Sequence, residues 1–297
     1  MVSNIKISMK KILLLLNIFF LSSCYNQERI VDKNKLMGND IRLYQNTQAW
    51  NLAKAVDAED ILKIKEEVTN RNVNVDYKDP RFGSTLLTIA IENSKYESVK
   101  TLLDNGANPN IGDSYRGTTP IIQAAANDDP KYLALLLNFK GNPNSFETAP
   151  IKDGDKVRNT ALIAAISYMD KNSLDKVEML VDAGADVNFD NNGKTNKPLT
   201  HAIMMDKMDV ALYLLEKGAN YKDTMYTMIN GHKVSILEAL RKNLFDLNSE
   251  KYQQKLKVID FLKSKGLDYS KEPIPQETLD EIKNKYGDNW KNYIDNY

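Results

Sequence analysis

The chain is poor in the residues that carry most enzymatic and metal chemistry. It has a single cysteine, Cys24, so no internal disulfide can staple the fold and a cysteine-based zinc site lacks its ligands. It has two histidines, His201 and His232, neither in a His-x-x-x-His pair. There is no Gly-x-Ser-x-Gly and no glycine-rich loop leading into a helix; Lys152-Asp153-Gly154-Asp155-Lys156 reads as a solvated turn. Acidic pairs such as Glu66-Glu67 read as solvated helix faces. We therefore expect no catalytic residues, no metal ligands, no cofactor and no small-molecule substrate. Net charge is lacking too. With 40 basic and 40 acidic residues there is no basic excess to hold nucleic acid. The abundance of Lys, Asn and Ile reads as base-composition bias.

Only one long apolar run exists, Ile12 to Leu21, broken by Asn17. It is too short to span a bilayer, which needs about 20 residues. Met9-Lys10-Lys11 precedes it and Ser22-Ser23-Cys24 follows, the order of a secretory signal. Met9 suits the start of such a signal, with residues 1–8 ahead of it. Leu21-Ser22-Ser23-Cys24 resembles a bacterial lipobox. The resemblance implies that residues 1–23 are removed and that Cys24 carries lipid on its thiol and amine. Tyr25 stands where an Asp would favour the inner membrane, which implies the outer one. The expected location is the periplasm, with the chain held to the membrane by its N-terminal lipid. Residues 24–45 read as a polar tether and N-terminal cap.

The rest is organised by a block that returns five times. Its end reads Gly106-Ala107-Asn108-Pro109-Asn110, Lys140-Gly141-Asn142-Pro143-Asn144, Gly184-Ala185-Asp186-Val187-Asn188, Gly218-Ala219-Asn220-Tyr221-Lys222 and, degraded, Gly266-Leu267-Asp268-Tyr269-Ser270. An apolar run precedes each. Upstream of each run lies an alanine-containing block, starting at Thr85, Thr119, Thr160, Lys197 and Val234. In the Thr119 unit, Thr119 can cap a helix whose first turn holds Pro120, where the missing N–H costs nothing. Ile121, Ile122 and Ala124 follow, then a second apolar stretch from Tyr132 to Leu137 at helical spacing. The glycine of each later block suits a left-handed residue ending the second helix. Each unit is thus two short antiparallel helices and an extended loop. None can bury its apolar face alone, so the units must stack.

This two-block pattern, at a period near the ~33 residues of its type, resembles the ankyrin repeat. The resemblance spans residues 46–270 and implies an all-α solenoid of about six helix-loop-helix units, the weaker first one built on Trp50, Leu52 and Ala53. The histidine of the family's Thr-Pro-Leu-His is replaced by Thr88, Ile122, Ile163, Thr200 and Leu237, which implies a less regular stack. Two insertions, 145–159 and 243–252, fall in connections. Residues 271–297 leave the pattern after Pro273 and Pro275, and 276–286 can form a helix with Leu279, Ile282 and Tyr286 on one side, a cap for the last unit.

Such repeats bind proteins. In the resemblance, partners touch loop tips and the exposed end of each first helix. Carried over, the helix-end positions are Glu92, Asn93, Asn127, Tyr168, Met204, Met205 and Arg241. The loop tips offer Phe82, Tyr115, Arg116, Phe146, Phe189 and Tyr226. Aromatics, Met and Arg are enriched in interface cores. Small ankyrin lipoproteins of this kind resemble immunity proteins of type VI secretion phospholipase effectors, which implies a secreted effector toxin as partner. The alternative is a structural or regulatory envelope adaptor, for example in stress defence.

Overall fold

The computed structural model describes residues 29–148, 158–166, 171–190 and 197–297. Six helical pairs follow one another. The first is α1 (Trp50–Asp57) with α2 (Ile61–Lys65), whose end widens into a π-turn over Glu66–Asn70. Then come α3 (Leu86–Glu92) and α4 (Tyr96–Asp104), α5 (Pro120–Ala126) and α6 (Lys131–Asn138), α7 (Ala161–Ala165) and α8 (Ser173–Asp182), and α9 (Pro198–Met204) and α10 (Met208–Glu216). A two-stranded antiparallel ribbon, β1 (Tyr226–Thr227) and β2 (Lys233–Val234), leads into α11 (Ile236–Lys242) and α12 (Glu250–Ser264). Two further helices, α13 (Gln276–Tyr286) and α14 (Trp290–Asn296), close the stack.

Local chemistry sets the ends. The hydroxyls of Thr85, Thr119, Thr160 and Ser235 accept from the backbone N–H three residues on, so each first helix starts where its cap sits. Lys197 offers no such cap, and Pro198 at the first turn starts α9 instead. Left-handed residues end the second helices: Gly106, Gly184, Gly218 and Gly266, with φ between 89° and 97°. In the third unit the expectation of a glycine there fails. Lys140 takes the left-handed position at φ 63°, and Gly141 is glycine for room: a Cβ on it would lie 2.9 Å from the Leu136 carbonyl oxygen.

Leu86, Ile89, Leu102, Ile121, Leu133, Leu136, Leu162, Val177, Leu180, Leu199 and Leu214 form one continuous core of inward helix faces. Each fully buried Leu or Ile contributes about 1.5–3 kcal/mol relative to exposure. First helices pack on first helices and second on second, so the core runs the length of the stack.

Two hydrogen-bond series join neighbours. At the loops, Asn110, Asn144 and Asn188 each reach the next unit twice. Asn110 accepts from Asn142 N (2.7 Å) and donates to Lys140 O (3.1 Å); Asn144 does the same with Asp186 and Gly184, and Asn188 with Asn220 and Gly218. At the helix ends, a last-turn or capping carbonyl of the first five first helices accepts from a side chain of the following unit. Ser98 bonds Val56 O, Asn127 bonds Ile91 O, Lys176 bonds Ala125 O, His201 meets Ile166 O and Asn243 bonds Ile203 O. They matter because the carbonyls of a helix's last turn have no partner within the helix.

Two expectations change. Residues 29–45 are docked, not a free tether. Lys33 Nζ donates to Leu43 O (2.7 Å) and Gln45 O (2.6 Å), and Asn39 and Asn93 exchange hydrogen bonds. Ile41, Leu43 and Tyr44 are buried on the first unit. The last unit is also shifted by one residue from its expected alignment. Val234 lies in β2 and Ser235 is the cap, so the position assigned to Leu237 belongs to Glu238.

Candidate interaction face

The first helices line a trough. Its floor, between α5 and α9, is set by Gln123, Ala126, Ala164 and His201, and its loop-side wall by Thr118, Glu147 and Asn159. Gln123, Ala164 and His201 each sit four residues after the cap position of their helix, so one helical phase points all three into the groove. The alanines keep it open, with a volume of about 520 Å³. Toward the N-terminal end the trough continues along Glu92, Ala126, Asn127 and Asp129, edged by Met37 and Asn39 of the docked segment.

Charge along it is uneven. Asp129 is paired with Lys131 at 2.7 Å, which holds its carboxyl below the ordinary value. Glu92 is exposed at its tip, yet its setting between the helices desolvates the carboxyl, and this, with nearby Asp113, raises its pKa. His201 is held below its ordinary pKa by burial, against the pull of the Ile166 carbonyl at 3.1 Å, and so stays neutral near pH 7. His232 lies in the ribbon loop and meets Glu238 Oε2 at 2.7 Å.

The expected partner-contacting residues separate into three groups. Glu92, Asn127 and Met205 line the trough, and Met204 stands beside it, 58% exposed. Asn93 and Asn127 also serve joints, through Asn39 and Ile91 O. At the loop tips the aromatics pair across units: Phe82 meets Tyr115 edge-on at 6.4 Å, and Phe146 meets Phe189 at 5.4 Å. Arg81 stacks over Phe82 at 4.4 Å, and Lys242 lies over Tyr226 at 5.8 Å. Tyr115 keeps 46% of its surface open. Of the tip set, these rings give partly open, pre-positioned apolar faces.

Two arginines are corrected. Arg116 is engaged internally: Nε and Nη2 donate to Glu147 Oε1 and Oε2 at 3.0 and 2.9 Å. Thr118 and Asn159 N bond the same carboxylate, so this pair fixes the loop-side wall of the trough. Arg241 lies in the last turn of α11 but does not face solvent. The one-residue shift turns it inward, where it is 6% exposed and donates to the backbone oxygens of Glu272, Tyr269 and Tyr297. Cys24 and Tyr168 lie outside the described residues.

Sequence reasoning missed Gln123, Ala164, His201 and Glu147 as parts of the face. The helical phase signals the first three, because four residues past each cap is the same angular position. Glu147 carried no signal, since its partner Arg116 lies in the preceding loop.

Among the described residues, no group of three or more His, Cys, Asp and Glu side chains is placed to hold a metal, and no helix is long and apolar enough to cross a membrane.

The sequence profile of ankyrin repeats (3 copies) matches residues 52–147 and 147–225. Curated relatives include the ankyrin repeat and KH domain-containing protein mask-1 of Caenorhabditis elegans, 29% identical over 174 residues, 58% of this chain and 6% of that one. The neurogenic locus notch homolog protein 1 of Mus musculus is 30% identical over 165 residues, 55% of this chain and 6% of that one. The chain thus spans a small fraction of these relatives' length. Among solved structures, the ankyrin repeat domain of Bcl-3 superposes with a TM-score of 0.51 at 22% identity, over 73% of this chain and 86% of that one, a likeness of fold. With more than half of its residues matched by the profile, the chain belongs to the ankyrin-repeat family.

Proposed function

We propose that this protein is a lipid-anchored periplasmic binding module that occludes a toxic effector, with a phospholipase as the preferred class. The observation that carries the binding reading is the trough, continuous over the first helices from α3 to α9. It offers an open floor around Ala126 and Ala164 beside the polar wall of Thr118, Glu147 and Asn159, a shape into which a partner's projecting segment fits. The signal-like run ending at Cys24 supports the anchor. An anchor would hold the inhibitor at the surface a lipase attacks. The immunity role rests on the resemblance of small ankyrin lipoproteins to such inhibitors.

The test has two arms. Cys24→Ala removes the only thiol that can carry lipid, and should move the protein out of the membrane fraction. Ala126→Arg fills the trough floor and should abolish co-purification with the product of the neighbouring gene, with loss of protection of a sensitive strain at equal protein level. Truncation of central contacts commonly costs about 2 kcal/mol or more, roughly a thirtyfold loss of affinity. Unchanged binding and protection in Ala126→Arg would sink the trough as the contact surface. Unchanged membrane fractionation in Cys24→Ala would sink the anchor.

A further inference from the structure

The last joint of the stack buries a lysine without a carboxylate partner. Lys255, on the inner face of α12, has no exposed surface, and among the described residues its amine makes one hydrogen bond, 3.1 Å to Asn243 O. An ammonium carries three donors, so its charged form leaves two unsatisfied in a dry site. The Tyr297 ring lies 3.6 Å from Nζ and the Tyr269 ring 5.4 Å. The same rings flank Arg241, whose guanidinium is 3.9 Å from the Tyr269 ring and 5.9 Å from that of Tyr297.

We propose that the C-terminal cap, residues 269–297, is a pH-released latch, closed on an uncharged Lys255 and loosened when that amine takes up a proton. Groups on every side act on the amine. From α11, the Arg241 guanidinium repels an ammonium. From the turn between α9 and α10, Asp206 attracts it, but that carboxylate already accepts from Asn243 Nδ2 at 2.7 Å. From α12 itself Tyr252, and from the cap Tyr269, Tyr293 and Tyr297, contribute neutral hydroxyls. The two ring faces favour the ammonium. Burial, with Arg241 adding to it, outweighs these and holds the amine down to about 6.

The lid over the amine is the cap. Tyr297 Oη donates toward Arg241 O and Asn243 O at 2.8 Å each, Tyr293 Oη to Phe245 O at 2.7 Å, and Tyr252 Oη to Asn296 O. Arg241 ties the cap back through three carbonyls. Only opening of this lid lets water reach Lys255. In the open form its pKa returns toward the ordinary 10.5. The folded value is the lower one, so the open form binds more protons between about 6 and 10.5. Opening therefore becomes easier as pH falls through that window and levels off below it.

The experiment is amide hydrogen exchange of the full chain between pH 9 and pH 6, corrected for intrinsic rates. Protection in α13 and α14 should fall by up to about tenfold per pH unit, while α3 and α5 keep theirs. Lys255→Met should flatten the α13 and α14 profile; equal slopes in both proteins would overturn the latch. Should Lys255→Met fail to fold, a carbon-13 titration of the lysine ε positions in the native chain decides. One lysine with a midpoint near 6 supports the proposal, and all lysines titrating near 10 reject it.

Discussion

At the N-terminal end, a 3-10 turn, Ile41–Tyr44, lays Ile41, Leu43 and Tyr44 on the first unit, and its charged donors stay at the rim. Lys33 and the exposed Arg81 bond backbone carbonyls there, Arg81 through Lys33 O and Leu36 O at 2.6 Å. At the C-terminal end, two helices are needed, and the basic side chains sit in the middle: Arg241 and Lys255 are both buried among tyrosines. Both ends solve one problem, an apolar flank with no further unit to cover it. The first end covers it with apolar surface and the Tyr44 hydroxyl, and leaves its charges at the rim. The second covers it around one guanidinium held by backbone oxygens and one uncharged amine under the tyrosine rings, and closes tightly only while that amine stays unprotonated.

The largest break in this comparison is Arg241→Ala. It leaves the Glu272, Tyr269 and Tyr297 carbonyls without their donor and should cost about 3–5 kcal/mol. The readout is the denaturation midpoint together with loss of exchange protection confined to α11 through α14; loss spread evenly from α1 would contradict a local role. Next is Tyr44→Phe, which removes the 2.6 Å bond from the hydroxyl to the buried Ser84 carbonyl and should cost about 1–2 kcal/mol by urea unfolding. Lys33→Met should cost under about 1 kcal/mol, because its amine is partly solvated and water replaces it at both carbonyls. The smallest effect sharpens the contrast: between pH 9 and 6, protection of the amides of residues 41–45 should stay flat while that of α14 declines.

The unit pattern was legible because caps, prolines and apolar spacing act locally. Thr119-Pro120 announces α5, and the expected helix 276–286 is α13 as observed. The failures share a cause, which is that partners far along the chain decide. Polar residues 29–40 look like a solvated tether until Leu43, Gln45 and Asn93 supply acceptors. In the last unit, Val234-Ser235-Ile236-Leu237 matches the repeat in two registers. Only the ribbon pairing of Val234 with Tyr226 selects the one with Ser235 as cap. A helix advances about 100° per residue, so that single step carried Arg241 from the surface to the interior. On the interaction face, Glu92, Met205 and the tip aromatics were readable from position in the unit, whereas the Arg116–Glu147 pair was not. Asparagine abundance, read as compositional bias, includes the three residues that lock the loops.

Those loop asparagines have a consequence for how such a protein can change length. Asn110, Asn144 and Asn188 form the same two bonds at successive joints, so any of these loops could be spliced to the next but one and still fit. The helix-end donors differ at every joint: Ser98, Asn127, Lys176, His201 and Asn243 each suit one gap. A lineage that gained or lost a whole unit would keep the loop seam intact and leave a mismatched donor at one carbonyl. The loops therefore act as a common coupling and the helix ends as individual keys, which permits recombination of units while penalising those set down in the wrong order.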